Sequence, residues 1–166
     1  KRLATPQLGN TQDIALRCYL KEYGLKPKED GGKVFIFPIS NSDILLLFKR
    51  GEIDGAWTVE PWVSRLVMEA GGYIYQDESE LWPNGVYPIT YLVGSTDFIR
   101  HSPDLVQRWV QTHLEVTKKL EADPEQTVFL LNKEMAKWIG APLPEALLKS
   151  AFDRLELTCA PMREEF

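Results

Sequence analysis

Residues 33–75, KVFIFPISNSDILLLFKRGEIDGAWTVEPWVSRLVMEAGGYIY, decide the fold class. Lys33–Ile39 is a compact run of β-branched and aromatic residues, which predicts a buried strand. Pro38 marks its end. Asn41 or Ser42 is placed to cap a helix carrying Ile44, Leu45, Leu47 and Phe48, and Gly51 stops it. Ile53–Val59 predicts the next strand. Pro61 suits the first helical position, and Val63, Leu66, Val67 and Ala70 form a stripe before Gly71-Gly72. Tyr73–Tyr75 predicts one more short strand. Upstream, Leu3–Thr5 reads as a strand, and Thr11–Tyr23 as a helix with Ile14, Leu16, Cys18, Tyr19 and Leu20, closed by Gly24. Strands alternating with helices of this length imply βαβ units, so residues 1–77 are predicted to form three βα units on a parallel sheet.

The pattern changes after Glu78. Residues 78–88 are irregular, with Trp82, Pro83, Gly85 and Pro88, and Ile89–Val93 predicts a strand. From Ser102 onward the spacing is helical. Ser102 is placed to cap and Pro103 to start a helix with Leu105, Val106, Trp109, Val110 and Leu114. Asp123-Pro124 opens a second helix with Val128, Leu131 and Met135. Beyond Pro142 and Pro144, a third carries Leu147, Leu148, Ala151, Phe152 and Leu155. An organisational boundary is expected near residues 78–90. The chain reads as cut at both ends, with any secretion signal expected upstream of Lys1.

At 166 residues, with 44% hydrophobic and 26% charged, the chain can bury a real core without staples. The net charge of -5 argues against a nucleic-acid or polybasic membrane surface, since both need clustered Lys and Arg. No apolar run reaches the roughly 20 residues of a membrane span. Cys18 and Cys159 are too few for a disulfide framework. His101 and His113 have no metal-ligand spacing, and no GxSxG elbow, Walker A loop or GxGxxG fingerprint is present. An enzyme, a metal site and a bound cofactor are therefore not expected.

Three strand ends carry chemistry. In Pro6-Gln7-Leu8-Gly9-Asn10-Thr11-Gln12, Gly9 allows a tight turn and Asn10 or Thr11 can cap the helix. The first amides of such a helix suit a small anion, although every βα unit needs an ordinary cap. Trp57-Thr58-Val59-Glu60-Pro61-Trp62 lies at another strand end. There two tryptophans can flank an apolar ligand body and Glu60 can accept from a donor, or Trp57 can be core and Trp62 can pack under the helix. Ser40-Asn41-Ser42-Asp43 is the third edge, most simply a cap. Parallel strands put all three loops on one side of the sheet.

The segments LATPQLGNTQDIALRCYLKEYGL, KRGEIDGAWTVEPWVSRLVMEAGG and ELWPNGVYPITYLVGSTDFIRHSPDLV resemble the nitrate/sulfonate/taurine class of ABC-transporter solute-binding proteins. The resemblance implies an α/β fold of the type II periplasmic-binding-protein kind. Residues 1–85 would be most of the second lobe, and residues 86–166 a crossover strand and helices returning to the first. It implies that Gly9, Asn10, Thr11 and Gln12 hold an anionic head group, that Glu60 and Trp62 lie on the facing strand end with Trp62 against the ligand body, and that Thr5 and Gln7 line the same edge; Ser40 and Trp57 join them as candidates from the strand-end reading above. The implied partners are a small organic anion, sulfonate or taurine-like with nitrate as a further candidate, and a membrane permease in an extracytoplasmic compartment. Self-association is also expected, because an incomplete lobe exposes apolar surface. Two other readings stay open: a same-fold enzyme of the thiamine-pyrimidine precursor type, and the ligand-sensing domain of a signalling protein.

Overall fold

A computed structural model describes residues 1–85, 87 and 89–159. They form two compact units. One contains Lys1–Ile74 with Ala146–Ala151, the other the described residues of 75–145 and 152–159.

In the first unit, β1 (Arg2–Thr5), β2 (Phe35–Pro38) and β3 (Gly55–Ala56) form a parallel sheet of order β2-β1-β3. Leu3 lies opposite Ile36 on one side and Gly55 on the other. The helices are α1 (Thr11–Glu22), α2 (Asn41–Lys49) and α3 (Trp62–Ala70). Side chains alternate across a strand, so adjacent residues of β1 serve two cores. Leu3 packs with Leu16, Leu20 and Val34 on the α1 side. Ala4 packs with Ile44, Leu45, Ile53 and Leu66 on the α2 and α3 side. The sheet is thus covered on both faces at its central strand β1, as parallel sheets require.

The helix boundaries follow local chemistry. The Asn10 side chain caps α1 by accepting the Asp13 N–H. Ser40, not Asn41 or Ser42, caps α2 by accepting from Asp43. Pro61 is the residue before α3 instead of its first, and Gly71 closes α3 at φ 67°, a left-handed conformation that glycine adopts without strain.

β1 starts one residue earlier than the sequence predicts, whereas β2 and β3 are shorter than predicted. The sequence predicts a buried β2, but it is an edge strand, as is β3. Phe35 and Phe37 stack with centroids 6.5 Å apart on a face where Phe35 stays 44% exposed, while Ile36 turns to the Leu16 core. An apolar run signals strand but not whether the strand is central. β3 pairs over only two residues; just before it, Asp54 donates its N–H to Arg2 O (2.7 Å) and its carboxylate accepts the Arg2 N–H (2.7 Å). Tyr73–Tyr75 is not a strand: Tyr73 is 81% exposed and, among the described residues, no strand pairs with it.

The second unit contains α4 (Thr96–His101), α5 (Pro103–Ala122) and α6 (Pro124–Ile139), and α7 (Glu145–Phe152) follows. Pro103 and Pro124 start their helices as expected. The helix α4 was not anticipated; Ser95 caps it, and Ser102 provides no side-chain cap for α5. The predicted strand at Ile89–Val93 does not form. Val93 is 82% exposed, and a strand needs a neighbour's ladder that no described residue offers. Residues 146–151 of α7 belong to the first unit. There Leu147, Leu148 and Ala151 are buried and Ser150 accepts from the buried Ser64 at 3.3 Å. No helix among the described residues is long and apolar enough to cross a membrane.

Two predictions follow from this packing. Ile44→Ala should cost about 2–5 kcal/mol, read from denaturant midpoints, because Ile44 is fully enclosed between β1, α2 and α3. Glu69 accepts from Arg65 (2.6 Å) and Lys49 (2.9 Å), and these bonds hold its carboxyl at about 2, below the ordinary 4.5. A depressed carboxylate contributes stability that is complete above the unfolded value and lost as pH falls through the folded one. Stability should therefore decline between about pH 4.5 and 2, and Glu69→Gln should flatten that limb in acid titrations.

Candidate functional site

Parallel pairing brings the carboxyl ends of β1, β2 and β3 to one edge of the first unit's sheet. The ladder continues just past the strands. The Ile39 N–H donates to Thr5 O (2.9 Å), and the Trp57 N–H donates to Ala4 O (2.9 Å). Loops 7–12, 40–43 and 57–62 therefore rise from the same edge.

The first loop is organised by Asp13, a residue that the sequence reading passed over. Asp13 is 1% exposed. Its Oδ1 accepts the buried Thr5 hydroxyl (3.1 Å), and its Oδ2 accepts the Gly9 N–H (3.0 Å) and Arg17 Nε (3.0 Å). Burial pushes this carboxyl up, but the bonds from Gly9, Arg17 and Thr5 outweigh it and hold it below the ordinary 3.8. Arg17 also reaches Glu29, in the single turn Lys28–Asp30 after α1.

The predicted residues of this loop take different parts. The Thr5 side chain is buried under the turn. Gly9, at φ 73°, directs its N–H to Asp13. Asn10 is the cap, and its N–H reaches Gln7 O at 3.4 Å. Gln7 and Thr11 are exposed and Gln12 is half-buried. The first amides of a helix have no acceptor within it, so those of Thr11 and Gln12 are left without an intrahelical bond at the start of α1.

In the second loop, the Ser40 hydroxyl donates to Asp43 Oδ2 (2.6 Å) and also contacts Ser42 Oγ (2.9 Å). Thr58 Oγ1 donates to Asn41 Oδ1 (2.6 Å) and ties the second loop to the third. Both tryptophans lean on core. Trp57 packs against the Leu16 cluster and beside Tyr19 (5.3 Å), and Trp62 packs against the Ile44 cluster under the Arg65 guanidinium (4.8 Å). Both stay half-buried, so each keeps accessible surface. Glu60 Oε2 accepts the Ser64 N–H (3.0 Å) in the first turn of α3.

Asp13 could have been found in the sequence. It stands three residues after a cap and four before Arg17, the spacing of a first-turn acid with an i,i+4 partner. What the spacing lacks is Thr5, brought over the same carboxylate by β1. Elsewhere His101 Nδ1 lies 2.7 Å from Asp97 O, and His113 is exposed on α5. Among the described residues no group of three or more His, Cys, Asp or Glu is placed to hold a metal.

Asn10→Ala should destabilise the chain by about 1 kcal/mol, because the Asp13 amide loses its acceptor. Chemical denaturation checks the size. Faster exchange confined to the first turn of α1 checks the place.

The model of the NMT1-like family matches residues 1–140. The taurine-binding periplasmic protein of Escherichia coli (strain K12) is 28% identical over 146 residues, which is 86% of this chain and 43% of that protein. The structure of the alkanesulfonate-binding protein SsuA from Xanthomonas axonopodis pv. citri, bound to MOPS, matches with a TM-score of 0.67 at 20% identity. That match covers 95% of this chain and 49% of SsuA, so the chain spans less than half the length of either relative. The structural match shows the α/β fold expected from the strand and helix pattern. Both relatives are named for binding. With residues 1–140 inside the family model, the chain belongs to the NMT1-like family, in keeping with the solute-binding class its sequence resembles.

Proposed function

We propose that this chain is part of the substrate-binding component of an ABC importer and captures a small organic anion of the sulfonate class at the carboxyl edge of its sheet. The observation that carries the reading is the start of α1. A turn anchored on a buried carboxylate leads into this helix, and the Thr11 and Gln12 amides, which have no acceptor within α1, follow directly on the exposed Gln7 and Gly9. A helix N-terminus favours negative charge through these amides and its dipole. Kinship to a taurine-binding protein supports the ligand class. In this reading Gln7, Asn10, Thr11 and Gln12 surround the head group, with Gly9 shaping the turn over Thr5. Ser40, Trp57, Glu60 and Trp62 form the neighbouring wall. Two half-buried tryptophans favour an organic body over bare nitrate, which gains little from apolar area.

The same reading assigns residues 1–85 to one lobe and residues 86–166 to a return into the other. It places the protein in the periplasm beside a membrane permease. Binding needs oriented donors and an apolar wall, with no proton transfer or covalent step.

Calorimetric titration of the full-length protein with taurine, an alkylsulfonate, sulfate and nitrate tests this. The alkylsulfonate or taurine should bind tightest and nitrate at least about tenfold weaker, a difference of about 1.4 kcal/mol. Trp62→Ala should narrow that gap. Tighter binding of nitrate would overturn the organic-anion assignment, and failure to bind any of the four would overturn the whole reading.

A further inference from the structure

The turn ahead of α1 has little apolar anchorage of its own. Leu8, its one large apolar side chain, is 66% exposed. Gln7 and Gly9 are also exposed, and a Cβ built on Gly9 would meet nothing within 4 Å. What holds the turn is polar, and it converges on Asp13 twice. The Asp13 N–H donates to Asn10 Oδ1, and its carboxylate accepts the Gly9 N–H. The carboxylate is itself held from below by Thr5 of β1 and from the side by Arg17 of α1.

We infer that Asp13 is a positioning residue for oxyanion binding: it draws the Gly9 N–H inward and so fixes the backbone that presents the Thr11 and Gln12 amides. The inference rests on the function proposed above and names what makes that site selective. With the Gly9, Asn10 and Asp13 N–H groups all engaged within the turn, the neighbouring Thr11 and Gln12 amides remain for the ligand. Two adjacent amides suit a head group that offers two oxygens on one side, as sulfonate does. Arg17 has a second part. A buried carboxylate so close to the turn would repel an anion, and the guanidinium offsets that charge. Glu29 on the far side keeps Arg17 aligned.

The test compares wild type, Asp13→Asn and Arg17→Gln in the full-length protein, by hydrogen exchange at the Gly9 amide and by titration with taurine and ethanesulfonate. In Asp13→Asn, the Gly9 amide should exchange at least about tenfold faster and sulfonate affinity should fall at least about tenfold, the scale of a lost charge-assisted hydrogen bond. Arg17→Gln should shift both in the same direction by less. A folded Asp13→Asn variant with unchanged affinity overturns the inference. So does lost affinity with Gly9 protection intact, since Asp13 would then act by another route. Arg17→Gln is the second variant if Asp13→Asn does not fold, because Arg17 is partly exposed and its loss still leaves Asp13 the Thr5 and Gly9 donors. Wild-type exchange and affinity in Arg17→Gln would then overturn the inference. If the wild type binds neither sulfonate, the proposed function fails. Gly9 exchange still decides whether Asp13 holds the turn.

Discussion

A carboxylate removed from water must be met by donors, and Asp13 meets this demand from separate parts of the chain. Thr5 donates from the end of β1, Gly9 from the following turn, and Arg17 from one turn further along α1. Satisfying one buried charge therefore fixes where β1 ends, how the turn closes and how α1 leaves the sheet. The Arg17–Glu29 pair extends the same network to the turn after α1, so both ends of that helix are tied to one set of charges. Breaking a buried, hydrogen-bonded charge costs more than the net worth of its bonds, because the partners are left unsatisfied. A turn whose large apolar side chain, Leu8, is mostly exposed is thereby anchored by polar bonds.

The rest of the edge is built with less redundancy. Thr58 and Asn41 share one hydrogen bond, and Glu60 fixes the start of α3 through the Ser64 amide. Ser64 in turn touches Ser150, so α7 is joined to the helix that follows the third loop. The tryptophans serve two environments, one face on core and the other accessible. Large amphipathic rings suit this place, since they gain from burial without needing to be fully enclosed.

Much of this was legible in the sequence because the signals are local. Proline and glycine punctuation, caps and apolar periodicity depend on residues within one or two turns of each other. They located α1 to α3 and α5 to α7, the parallel sheet, and the three loops at its edge. They missed wherever the outcome depends on a distant neighbour. The runs 73–75 and 89–93 have strand composition, yet a strand exists only where another strand completes its ladder, and none is present among the described residues. Phe35 and Phe37 look like core residues, and the strand order makes them an exposed edge.

The candidate site divides in the same way. Gly9, Asn10 and Asp13 already stand at the spacing of a capped, glycine-opened helix start, and Trp57, Glu60 and Trp62 at the close of a strand. Those features, with the motifs that tie the chain to its family, belong to the sequence alone. Only the tertiary structure decided what each group faces. It turned the Gly9 amide toward Asp13, buried Thr5 beneath it, made Ser40 the cap of α2 and leaned both tryptophans on core. The reason is physical: a residue's type and spacing set what it can donate, accept or bury, but its partner is chosen by whichever segment the sheet brings within about 3 Å.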